Sequence, residues 1–73
     1  MREILINLNS IDKVKEFCNL TTYKINGDID LISGKYVVDG KSIMGIFSLD
    51  LSKPITMRVA EGIDISALEK FFV

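Results

Sequence analysis

An α+β fold, built as a two-layer open-faced sandwich of one antiparallel sheet and helices, is what this sequence predicts, and three observations carry the prediction. Four short segments alternate apolar and polar residues, the period of strands with one buried face. Three others repeat apolar residues at three and four, the period of helices. Each strand keeps one polar face, which suits an antiparallel sheet covered on one side only. The order is β-α-β-β-α-β-α in a single domain of residues 1–73.

The first strand runs from Glu3 to Leu8, with Ile4, Ile6 and Leu8 on one side and Glu3, Leu5 and Asn7 on the other. Asn9 and Ser10 then offer N-caps, and Asp12 places negative charge in the first turn, where the helix dipole favours it. A helix is expected from about Ser10 to Thr22, its apolar face formed by Ile11, Val14, Phe17, Cys18 and Thr21. On that face Cys18 reads as a buried, inert thiol, with no histidine or basic cluster to activate it.

Asn26-Gly27 closes the connection. Asp28–Ser33 and Tyr36–Val38 form a hairpin about Ser33-Gly34-Lys35, where glycine takes a positive φ without a side-chain clash. Ile29 and Leu31 share the buried face, so Asp28 and Asp30 fall on the solvated one and read as solubilising charges. Asp39-Gly40 leads to a short helix capped by Ser42. Ser52-Lys53-Pro54 ends that region, with proline acceptable at the start of a strand. Ile55, Met57 and Val59 alternate with Thr56, Arg58 and Ala60 as the fourth strand. After the Glu61-Gly62 turn a last helix is expected, capped by Asp64 in preference to Ser66, with Ile65, Leu68, Phe71 and Phe72 as its buried stripe.

The totals bound the function. A chain of 73 residues lies near the lower limit for a core without staples. Net charge −1 gives no basic surface for nucleic acid and no polybasic run for anionic lipid. The apolar run in MREILINL is too short for a signal peptide or a membrane span, so a cytoplasmic location is the expectation. One cysteine allows no internal disulfide, and the lack of any histidine removes His-based zinc sites, Ser-His-Asp and Cys-His catalysis and phosphohistidine chemistry. No cofactor or metal site is expected.

The stretch Lys41–Lys53 concentrates what remains. Ile43, Met44, Ile46, Phe47 and Leu49 crowd behind Ser42, and so short a helix cannot bury apolar groups all round. Ser42-Ile43-Met44-Gly45-Ile46-Phe47-Ser48-Leu49 resembles the regulatory-serine helix of the HPr family, the small phosphocarriers of the bacterial sugar phosphotransferase system. Pro54 to Gly62 is similar to that family's last strand and following turn.

The resemblance implies a sheet order of 1-4-2-3 with three helices on one face. It also implies outward-facing Ile43, Met44 and Phe47 as partner-binding positions, with Ile46 and Leu49 turned to the core. The alternative for Phe47 is burial under the final helix. Alignment of Val14, Phe17 and Cys18 puts Ser10 or Ile11 at the family's phosphohistidine position, with Asp12 or Lys13 near its phosphate-pairing arginine. A serine ester lacks the transfer potential of a phosphoimidazole, and Asp12 repels incoming phosphate. Ser42 matches the serine that an ATP-dependent HPr kinase phosphorylates in family members, whose product binds a transcription regulator. Such a phosphate would stand beside Lys41; without it Ser42 is an N-cap.

The expected function is thus a non-catalytic HPr-like regulatory or protein-binding module, with HPr kinase or a transcription-regulator-like protein as partner and a monomer or weak dimer as its state. The rivals are a phosphocarrier with an unorthodox acceptor and an orphan structural domain.

Overall fold

A computed structural model describes residues 1–73. The chain runs β1 (Arg2–Ile6), α1 (Ile11–Lys24), β2 (Ile29–Ser33), β3 (Tyr36–Asp39), α2 (Ile43–Phe47), β4 (Ile55–Val59) and a C-terminal 3-10 helix (Ser66–Phe71). The fold is α+β, with an open, wholly antiparallel sheet in the order β1-β4-β2-β3. The expected element order and strand order are both present.

Alternation decides which face is covered. Ile6, Ile29, Leu31, Ile55, Met57 and Val59 point under the helices and are buried. Val14 and Phe17 of α1, Ile46 of α2, and Leu68 and Phe71 of the 3-10 helix close on them in one core of fifteen residues. Phe17 and Phe71 meet edge to face, ring centroids 5.3 Å apart and planes at 82°, a favoured aromatic geometry that ties α1 to the chain's end. On the opposite face, register aligns Glu3, Arg58, Asp30 and Asp39 in one row and Leu5, Thr56, Ile32 and Val37 in the next. Asp28 is exposed on that side, and Asp30 lies 3.8 Å from Arg58.

Gly34 and Gly40 are each required by geometry. Gly34 has φ 60° in the two-residue hairpin loop, the first central position of a type II′ turn. Gly40 is buried against β2, and a Cβ there would come 3.1 Å from the Ile29 carbonyl oxygen and 2.6 Å from its Cγ2.

Four local expectations need correction. Ile11 is not on the buried face of α1 but 62% exposed. At ~100° per residue it lies about 90° from the middle of the Val14-Phe17-Thr21 stripe, in the first turn. Cys18, on the same flank but nearer the stripe, is half-buried, and its Sγ donates to the Lys41 carbonyl at 3.4 Å. The last helix is not an α-helix capped by Asp64. Asp64 Oδ1 accepts from the Ser66 N–H at 3.0 Å in an Asx turn, and 3-10 bonds follow, Leu68 N–H to Ile65 O and Phe72 N–H to Glu69 O. The chain's end is claimed by β1, through Asn7 N–H to Phe71 O at 2.8 Å and Val73 N–H to Leu5 O at 3.0 Å, which leaves too few residues for α-helical turns. For the same reason Phe72 is half-buried rather than core; it forms an isolated bridge to Ile6.

Candidate functional site

The start of α1 and the end of α2 border one hollow. Ser10 is the N-cap of α1, its Oγ accepting from the Lys13 N–H at 3.1 Å, while the Lys13 ammonium donates to Asn9 Oδ1 at 3.0 Å. Both Ser10 and Ile11 are exposed, and Asp12 lies in the first turn.

The linker into α2 is strapped to the end of α1 and the sheet. The fully buried Thr21 hydroxyl donates to the Gly40 carbonyl at 2.9 Å, and the Gly40 N–H donates to Ile29 O at 2.7 Å. Lys41 is held three ways. Its N–H donates to Asp39 Oδ1 at 2.9 Å, its ammonium donates to Ile25 O at 3.2 Å, and its carbonyl accepts from Cys18. The Lys41 ammonium is therefore engaged by a backbone carbonyl, where the sequence placed it as a charge beside Ser42.

Ser42 caps α2 as expected, its Oγ accepting from the Gly45 N–H at 3.2 Å. Gly45 permits the helix to sit close, since a Cβ there would stand 3.2 Å from Val38 Cβ and 3.3 Å from Ser42 Oγ. Five residues of helix turn Ile46 inward, fully buried, with Leu49 behind it at 7% exposure. Ile43, Met44 and Phe47 face out at 38%, 80% and 41%. Spaced three and four apart, Met44 and Ile43 flank Phe47 on one helix face. Phe47 thus takes the outward alternative.

Sequence reasoning kept the first-helix position and the serine helix as separate sites; the structure joins them. A hollow of about 310 Å³ is lined by Asn9, Ser10, Ile11, Phe47, Leu51 and Ser52, so the residues that open α1 border the aromatic ring of α2. Leu51 was not singled out by its pattern. It follows Asp50, whose carboxylate accepts from both the N–H (3.1 Å) and the hydroxyl (2.6 Å) of Ser52, and that Asx turn presents the side chain between them. These two bonds, the hydroxyl's first, hold the Asp50 carboxyl below its ordinary value.

The surface offers exposed apolar side chains ringed by hydroxyl and amide groups. Such a patch can take up an apolar side chain of another protein. Among the helices, none is long and apolar enough to cross a membrane. Comparison with protein-family models, with curated proteins and with solved structures gave no match.

Proposed function

We propose that this chain is an HPr-like protein-binding module without phosphocarrier chemistry, which docks partners through Ile11, Ile43, Met44 and Phe47 and is switched by phosphorylation of Ser42. The observation that carries the reading is that Ile11 of α1 and Phe47 of α2 line one hollow, with Ile43 and Met44 exposed on the same short helix as Phe47. Buried residues alone would have completed the core; these four are left out of it. The sheet order β1-β4-β2-β3 under three helices supports the same family, and the lack of histidine separates this member from the phosphate relay.

Phosphate on Ser42 would add about −1.5 to −2 charges. The Gly45 N–H, which now donates to the hydroxyl, is the nearest backbone donor for its oxygens. Lys41 stays tied to Ile25 and adds little, so the new charge faces outward beside Ile43 and Met44, where an arginine of a transcription-regulator-like partner can pair with it.

Intact-mass measurement after two incubations tests the reading. HPr kinase with ATP should add one phosphate, lost in Ser42→Ala. Enzyme I with phosphoenolpyruvate should add none. A phosphate from the second mixture would establish a carrier; the first mixture leaving the mass unchanged would remove the switch and leave an orphan domain ahead.

A further inference from the structure

The two edges of the sheet are finished differently. Beside β1 the chain's end supplies a stub of extra strand, through the bonds of Phe71 and Val73 to Asn7 and Leu5 and the bridge of Phe72 to Ile6. The β3 edge has no neighbour. Exposed edges are ordinarily blunted by proline, strand lysines or bulges. The strand Tyr36–Asp39 has none of these, its register with β2 is unbroken, and Tyr36 and Val37 are 66% and 55% exposed.

We propose that β3 pairs antiparallel with β3 of a second copy of this chain, about a two-fold axis at Val37, so that two four-stranded sheets become one continuous sheet. The phase of the ladder directs this. Gly40 N–H bonds to Ile29 O, so Gly40, Val38 and Tyr36 are the residues of β3 bonded to β2. By the alternation of antiparallel ladders, the N–H and C=O of Val37 point away from β2. Setting Val37 against Val37 of the copy joins those groups in two reciprocal bonds.

The side chains fit the same register. Lys35, in the turn that leads into the strand, comes close to Asp39 of the copy, and Asp39 close to its Lys35. That makes two opposite-charge pairs flanking an apolar one. On the face opposite Val37, Tyr36 meets Val38, an aromatic against a β-branched residue, which is a favoured cross-strand pair. A shift by two residues between the strands either way sets Lys35 or Asp39 against Val37 and loses these matches. The row Leu5-Thr56-Ile32-Val37 then runs unbroken into the same row of the copy. The interface is isologous, as closed two-fold pairing requires, and it rests on the sheet alone, independent of the docking surface.

Sedimentation equilibrium of the full chain across the micromolar to millimolar range, at low ionic strength, tests it. The mass should rise from monomer to dimer. Lys35→Asp, in an exposed turn, and Asp39→Lys should each weaken self-association about fivefold or more. An equimolar mixture of those two variants should recover it, because each chain then meets opposite charge at both pairs. Val37→Pro removes an N–H that bonds nothing in β2 and should abolish the dimer; if that variant does not fold, slowed exchange of the Val37 amide on raising the concentration replaces it. A monomer at every concentration, or a dimer indifferent to Lys35→Asp, would overturn the proposal.

Discussion

At the scale of single residues, the side chains of α2 divide by burial, and substitutions should divide the same way. Ile46 is fully enclosed, so Ile46→Ala should cost about 2–5 kcal/mol in chemical denaturation. Phe47→Ala should cost less than about 1 kcal/mol, since a buried phenylalanine would cost about 3–5, while weakening the proposed partner binding about tenfold or more. Thr21 makes a sharper case. Its hydroxyl satisfies the buried Gly40 carbonyl, so Thr21→Val, nearly equal in volume, should cost about 1–3 kcal/mol by leaving that oxygen unpaired. Alternation and helical spacing made Ile29, Leu31, Met57, Val14 and Phe17 readable as core from sequence. Ile11 was not, because an apolar residue in the first turn satisfies a three-and-four spacing while standing off the stripe's axis. Its position against Phe47 is a tertiary fact.

At the scale of elements, local chemistry reads well where a side chain acts on its own backbone. Ser10, Ser42 and the Gly34 turn all lie where their residue types place them. The last helix escaped because its geometry is set from outside: β1 holds Phe71 and Val73, and the helix must fit between that anchor and the Asp64 turn. Asp64 and Asp50 both lie below the ordinary carboxyl value of 3.8. For Asp64 the Ser66 N–H is the main cause, and for Asp50 the Ser52 hydroxyl. A carboxyl depressed by folding contributes stability that is present above its unfolded value and lost as pH falls through its folded one. Carboxyl-carbon NMR titration should therefore show both midpoints below 3.8, and Ser52→Ala should raise that of Asp50. The linker between β3 and α2 has no slack. Gly40→Ala, which drives a methyl against the Ile29 carbonyl, should lose about 1–3 kcal/mol.

At the scale of the whole molecule, the class and element order follow from periodicity, because each segment had one apolar side and the sheet only one cover to offer. The strand order did not. Nothing in a pattern of alternation says that β4 lies between β1 and β2, and that arrangement was expected only from the likeness of Ser42–Leu49 and Pro54–Gly62 to a known family. The meeting of the α1 start with α2 follows from it too, since it depends on how the helices lie over the ordered strands. The result is a domain whose core is complete while Ile11, Ile43, Met44 and Phe47 remain outside it, and docking is the role proposed for those four side chains.

Methyl and aromatic NMR of this chain titrated with HPr kinase measures that claim most directly. Resonances of Ile11, Ile43, Met44 and Phe47 should shift or broaden together, and those of Leu5 and Ile32 on the open face of the sheet should stay in place. Perturbation confined to the sheet face, or none at saturating kinase, would contradict it.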